Sequence, residues 1–255
     1  MSIRSTEALV IGSFNLIEAD RIITLYTREF GKIKVVAKGI KSLKSKFGSS
    51  LETLTYLNII YVEKEGRDLQ YIRQADTIES HDFLRQNLNK LTAALYVVEL
   101  VQHLIEIGEE GDFAGIFSLI LKVLESLGNC NDIDSILRIF EIRILNILGF
   151  GPVLTHCICC NCEFYKGRWF FSAHIGGLIC LHCISKVNDQ MFISQGGVMF
   201  LRKALTIDQN KIARLHLVRS SKEEIDCILH KYILYQVQKE LKSYPFLAKL
   251  RRIKA

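Results

Sequence analysis

The sequence predicts a multidomain α+β chain: a small five-stranded β-barrel, followed by an all-α region interrupted by a four-cysteine module. Three observations predict it. Apolar residues recur with a period near two as far as Ser80, the period becomes helical from Phe83 onward, and between 151 and 190 both patterns give way to clustered cysteines. The expected divisions are 1–80 for the barrel, 81–150 for the first helical part, 151–190 for the cysteine module and 191–255 for the second helical part.

The strand runs are EALVIGSFNL, DRIITLYT, KIKVVAKGI, LETLTYLNIIYVEK and LQYIRQADTI, all rich in β-branched and aromatic residues. Turn signals separate them at Glu18 to Asp20, Glu29-Phe30-Gly31, the Lys/Ser/Gly-rich stretch from Lys38 to Ser50 and Glu65-Gly66-Arg67-Asp68. A five-stranded unit of this size closes most often as an OB-fold, with an SH3-like barrel as the alternative.

Phe83, Leu84, Leu88, Leu91, Leu95, Val98 and Leu104 then share one helical face. Further helices are expected over 112–127, ended by Gly128-Asn129, and from Asp132 or Asp134 to 148, ended by Gly149. Ser194 can cap a helix reaching 205. Ser221 and Glu224 have capping-box spacing at the start of a final helix running to about 242.

With 33 Lys+Arg against 27 Asp+Glu, the net charge of +6 permits a polyanionic partner without requiring one. The charge is uneven: both ends are basic and the middle is acidic. The N-terminus has neither the long apolar stretch nor the cleavage site of a secretory signal, so a cytoplasmic location is expected. The longest apolar tracts are broken by Glu99, His103, Glu106, Lys122 and Glu125, which makes them core helices rather than membrane spans. There is no GxSxG, no HExxH and no Gly-rich dinucleotide turn, and His81, His103, His216 and His230 are scattered; no enzyme activity is expected.

Eight cysteines in a cytosolic chain point to metal binding or inert thiols rather than disulfides. Cys157 pairs with Cys160 and Cys180 with Cys183, each across two residues, and the pairs lie about twenty residues apart, the spacing of a zinc ribbon or knuckle. Four thiolates around one Zn²⁺ leave no open position for water or substrate, so the expected site is structural. Cys159 and Cys162 form an overlapping pair, and His156, His174 and His182 offer imidazole alternatives; the ligand set stays open among them. Cys130 and Cys227 are read as plain thiols.

A second signal is the basic run Arg28, Lys32, Lys34, Lys38, Lys41, Lys44 and Lys46, interrupted by the single acid Glu29. Alternation with Ile33 and Val35 puts the Lys32 and Lys34 ammonium groups on the solvent face of one strand, where they can meet phosphate; a solvated strand is the plain alternative. A third candidate is the basic C-terminal stretch of Arg202, Lys203, Lys211, Arg214, Arg219, Lys249, Arg251, Arg252 and Lys254, which suits DNA phosphate or an acidic protein segment.

Several segments resemble the RecO family. Glu18-Ala19-Asp20-Arg21, Thr24-Leu25-Tyr26-Thr27, Gly31-Lys32-Ile33, Val36-Ala37-Lys38-Gly39 and Lys44-Ser45-Lys46-Phe47-Gly48 look like its N-terminal barrel. Leu148-Gly149-Phe150-Gly151-Pro152 before Cys157, and Phe171-Ser172 with Gly176-Gly177-Leu178 before Cys180, look like its zinc-loop frame. The resemblance implies an OB-fold domain, an all-helical domain and a zinc-binding region, and the four-thiolate spacing adds the expectation of one Zn²⁺ per chain. It also implies binding of single- and double-stranded DNA, annealing of complementary strands, and work with RecR and the C-terminal tail of single-stranded DNA-binding protein to load RecA in a bacterial, nucleoid-associated setting. From the residues alone, an RNA-binding, translation-associated protein or a zinc-stabilised docking scaffold fits as well. The extra cysteines Cys159 and Cys162 and the final basic helices depart from the family pattern.

Overall fold

The computed structural model describes residues 2–16, 20–40, 45, 47–64 and 66–254, with the backbone alone at 252–254. Five strands come first: β1 (Ser2–Asn15), β2 (Arg21–Thr27), β3 (Gly31–Ala37), β4 (Tyr56–Glu63) and β5 (Leu69–Glu79). Helices α1 (Asp82–Arg85), α2 (Leu88–Leu104), α3 (Phe113–Asn129) and α4 (Ile133–Ile147) follow. Then come β6 (Trp169–Ser172), β7 (Gly177–Cys180), a 3₁₀ turn Leu181–Lys186, β8 (Gln190–Ile193), α5 (Gln195–Thr206), α6 (Lys222–Val237) and α7 (Ser243–Lys254).

All five expected N-terminal strands form, and they close a barrel in the order β1-β2-β3-β5-β4. The first half of β1 pairs with β4 and the second half with β2; its register against β2 shifts between Val10 and Gly12, near the point where the strand changes partner. β3 and β5 pair in parallel, Val36 opposite Tyr71, and the other pairs are antiparallel. The period of two fills the interior with Ala8, Val10, Ile23, Leu25, Val35, Leu57 and Ile59. Leu9 and Ile11 are equally buried, because α2 packs on β1 and covers its other face. At the β2–β3 turn Gly31 has φ +62, and a Cβ there would lie 2.8 Å from the Phe113 ring, so this turn needs glycine twice over.

The chain forms two compact units, Met1–Leu124 with Leu241–Ala255, and Glu125–Glu240. In the first, α7 packs on α2: the Glu99 carboxylate accepts the backbone N–H groups of Lys242 (2.8 Å) and Ser243 (2.9 Å) and the Ser243 hydroxyl. Acceptors at a helix N-terminus satisfy its orphan donors. The single final helix expected to reach about 242 therefore stops earlier, where Gln238 turns left-handed (φ 52), and a separate helix follows.

The second unit carries a feature the periodicity did not reveal. β6, β7 and β8 form a three-stranded sheet in the order β7-β6-β8, its strands only four residues long. Runs that short carry too few repeats to establish a period. Ser194 caps α5 as expected, accepting from Gly197 N at 3.0 Å. The capping box at Ser221 does not form: Ser221 makes no cap bond, and Glu224 Oε1 instead accepts from Ser194 N (3.2 Å) and Ser194 Oγ. Buried Arg138 on α4 pairs with Glu141 (2.8 Å) and with Asp226 of α6 (2.7 Å). Among the described residues no helix is long and apolar enough to cross a membrane.

Candidate functional site

A tight turn opens the thiol cluster. Asn161 takes a left-handed conformation (φ 61), its N–H bonds Cys157 O at 2.8 Å, and Cys157 N bonds Cys162 O at 2.8 Å. Asparagine tolerates that conformation better than most residues. The fold then brings β7 alongside, with Ile158 N on Leu178 O at 2.9 Å and Cys180 N donating to Cys157 Sγ at 3.3 Å. Chain segments about twenty residues apart thus meet at one cluster of sulfurs.

The ligand atoms of Cys157, Cys160, Cys162 and Cys180 all lie within 4.8 Å of one another. Cys160 Sγ and Cys180 Sγ are 3.7 Å apart, which matches the edge of about 3.8 Å for a tetrahedron with metal–sulfur bonds of about 2.3 Å. Backbone N–H groups are aimed at the sulfurs: that of Cys162 draws the Cys160 thiol down to about 6. Burial acts against ionisation of Cys157, but the N–H groups of Cys180, Cys160 and Cys159 outweigh it and the net direction is down. Donors pointing at sulfur favour thiolates, and clustered thiolates repel one another unless a cation lies between them. These four cysteines can hold a metal ion, and the donor set suits a soft, tetrahedral one.

Of the four expected ligands, Cys157, Cys160 and Cys180 are in this group. Cys183 sits beside it on the Leu181–Lys186 turn, 3% exposed, its side chain interacting with Cys160, Cys180 and Cys157; burial first, then these neighbours, pushes it up to about 12. Cys162, read from sequence only as an alternative, occupies the fourth place. Cys159 and the imidazoles of His156, His174 and His182 are outside the group; His156 Nδ1 instead meets Thr155 Oγ1 at 2.9 Å, and His174 lies edge-on to Tyr235.

The basic run divides. The expected solvent position of Lys32 is corrected: the side chain is 7% exposed, and its Nζ donates to Gln102 O at 2.9 Å, 3.8 Å from Glu106 Oε2. Alternation along β3 was a sound guide to facing, but the C-terminal end of α2 covers that part of the barrel. Burial holds the Lys32 ammonium below the ordinary lysine value. Arg28 is also engaged, 2.7 Å from Glu7 and over the Phe117 ring. Lys34 is half-buried and Lys38 exposed; Lys41, Lys44 and Lys46 lie outside the described residues.

Lys38 Nζ stands 5.3 Å from the centroid of the Tyr71 ring, and Lys64 Nζ stands 5.3 Å from the same ring. Sequence reasoning missed both Tyr71 and Lys64, because Tyr71 comes to Lys38 through the parallel β3–β5 pairing and Lys64 comes to the ring through the antiparallel β4–β5 pairing. Of the C-terminal basic stretch, Arg202 is engaged with Leu154 O (2.8 Å) and the Phe164 ring. Lys203, Lys211, Arg214 and Arg219 are exposed in the second unit, whereas Lys249 is exposed and Arg251 half-buried in the first. The side chains of Arg252 and Lys254 lie outside the described residues.

Fold and site together define a barrel-and-helix protein with a soft-metal thiol knuckle and a lysine-tyrosine edge on its barrel. Residues 1–81 match the family model described as Recombination protein O N terminal, and residues 85–245 match Recombination protein O C terminal. A protein of Pelotomaculum thermopropionicum named DNA repair protein RecO is 32% identical over 97% of this chain and 94% of its own length. Proteins of the same name from Desulforamulus reducens (30% identical, 98% of this chain, 96% of that protein) and Symbiobacterium thermophilum (32%, 98% and 99%) are similarly close. The chain belongs to the recombination protein O (RecO) family.

Proposed function

We propose that this chain is a non-enzymatic recombination mediator acting in DNA repair: it binds DNA, anneals complementary single strands, and helps load RecA onto strands covered by single-stranded DNA-binding protein. The observation that carries the reading is the match of both family models, which together span the barrel and the helical region. The names of the relatives place the family in DNA repair. RecR and the C-terminal tail of single-stranded DNA-binding protein are the proposed protein partners, and the bacterial cytoplasm, at the nucleoid, the proposed location.

The barrel supports the DNA part. Its strand order, with β3 and β5 paired in parallel, fits the Greek-key OB-fold, a common reader of oligonucleotides. Lys34, Lys38 and Lys64 supply phosphate contacts and Tyr71 a ring on which a base can stack, the combination of charge and aromatics that binds single strands without sequence preference. Lys41, Lys44 and Lys46 remain in the proposed interface, and Arg28 and Lys32 contribute through the barrel's shape and field.

The thiol knuckle supports one structural Zn²⁺. Cys157, Cys160 and Cys180 would hold it with a fourth thiolate. When bound, the metal supplies cross-linking of the Cys157 turn to β7 and screening of the thiolate charges, which couples its affinity to folding of this unit.

The decisive experiment measures annealing of complementary oligonucleotides with and without single-stranded DNA-binding protein, using matched RNA as competitor. Acceleration in both conditions, with DNA preferred, is expected. No acceleration of bare strands would remove the mediator reading, and equal or better competition by RNA would move the function toward RNA.

A further inference from the structure

Five thiols surround a space that a tetrahedral metal fills with four. Cys157, Cys160 and Cys180 form a common base, the first two on the Asn161 turn and the third at the end of β7. Two side chains reach the remaining corner from different elements. Cys162 Sγ, just beyond the turn, lies within 4.8 Å of the other three sulfurs. Cys183, on the Leu181–Lys186 turn three residues past Cys180 and 3% exposed, sits beside the same three sulfurs, outside the 4.8 Å group.

We propose that Cys162 and Cys183 are interchangeable fourth ligands to one Zn²⁺, with the unbound thiol acting as the incoming group when the metal is exchanged. This rests on the zinc reading above. Zinc has no d-electron preference that would select one of these two thiolates over the other. The exchange is a ligand substitution without redox change: one Zn–S bond forms as another breaks, and the entering thiol's proton is taken up by the departing thiolate. The sequence of one turn, with Cys162 two residues past Cys160, thus gives the site a reserve ligand that a plain pair of CxxC turns lacks.

The test uses the full chain as Cys162→Ser, Cys183→Ser, the double variant, and Cys159→Ser as a control that leaves all five sulfurs in place. Zinc content, competition with a chromogenic chelator, the rate of zinc transfer to that chelator, and the sulfur-to-metal charge-transfer bands of the Co²⁺-substituted protein are measured. Both single variants should keep one zinc per chain and a four-sulfur cobalt spectrum, with affinity within about tenfold of the parent, the scale of loss expected of supporting rather than obligatory groups. Both should also release zinc to the chelator more slowly than the parent and the Cys159→Ser control. The double variant should lose affinity on the order of a hundredfold or more, since a closed thiolate site has become a three-sulfur one. If either single variant alone loses zinc or shows a three-sulfur spectrum, the fourth ligand is unique and the proposal fails. Unchanged release rates in both would remove the exchange role. A parent chain that binds no zinc removes the zinc reading itself, and this inference with it.

Discussion

The ammonium group of Lys32 on β3 lies 2.9 Å from the carbonyl oxygen of Gln102, in the last turn of α2. That carbonyl belongs to the set a helix leaves without an intrahelical partner, and a cation there also meets the negative end of the helix dipole. Gln102 serves the same contact from the other side, since its side-chain Nε2 donates to Ile11 O at the β1 register shift. Lys32 therefore fastens α2 to the barrel. Lys32→Met should lower unfolding stability by about 1.5–3 kcal/mol, the range for a buried hydrogen bond to a charged group. Urea unfolding checks this; a midpoint unchanged from the parent would mean the ammonium faces water after all.

The pair of lysines at Tyr71 predicts a different profile. Lys38→Ala with Lys64→Ala should leave stability almost unchanged, weaken binding to unrelated single strands by similar factors, and lower the slope of log affinity against log salt by roughly 1 to 1.5. Tyr71→Ala should reduce affinity by about 1–3 kcal/mol while leaving that slope nearly unaltered, because stacking releases no counterions. Fluorescence titrations at several salt concentrations separate the two effects. A slope that stays fixed in the double variant shifts the phosphate contacts to the exposed residues Lys203, Lys211, Arg214 and Arg219.

Stripping metal should act locally. A strong chelator is expected to lower the melting temperature and expose the Cys157–Cys183 region to protease, and restored zinc should reverse both. Cys180→Ser should do the same permanently, whereas Cys130→Ser, at a site away from the cluster, should be almost silent. Equal effects of the two substitutions would contradict the assignment.

The Arg138–Glu141–Asp226 network carries a prediction of unequal substitutions. Arg138→Met removes the cation that pairs with the fully buried Glu141 and should cost about 3–5 kcal/mol, while a joint replacement of Arg138 and Glu141 by apolar residues should cost less than that single change. Thermal denaturation of the two variants decides it.

His81 sets a pH dependence. Its ring is buried with Nδ1 at 2.8 Å from Leu54 O, and burial, opposed by that backbone contact, holds its pKa below the ordinary histidine value of 6.5. A histidine depressed in the folded state binds fewer protons there than when unfolded, so its contribution to stability is complete above 6.5 and is lost as pH falls below it. His81→Asn, which tolerates the left-handed backbone at this position (φ 54), should flatten the drop in melting temperature between neutral pH and pH about 5.5. A drop as steep as the parent's would assign the acid sensitivity to other groups.

What the sequence determined by itself was whatever depends on short-range pattern: the five barrel strands, the Ser194 cap, the break at Gly149, and the cysteine pairs that mark a soft-metal knuckle. A strand's facing, a cap and a CxxC turn are set by residues within a few positions of one another, so a linear reading reaches them. Only the tertiary structure decided which groups meet at long range. The parallel register of β3 and β5 put Tyr71 beside Lys38, and the antiparallel register of β4 and β5 put Lys64 at the same ring; the packing of α2 on β1 turned Lys32 from a surface lysine into a buried tie; Glu224 left its own helix to bond Ser194; and the approach of β7 to the Asn161 turn brought Cys162 into the sulfur group with Cys183 beside it. Each of these is a choice among partners that local chemistry allows equally well. It is resolved by the burial of apolar surface around it, a property that no single segment of the chain possesses.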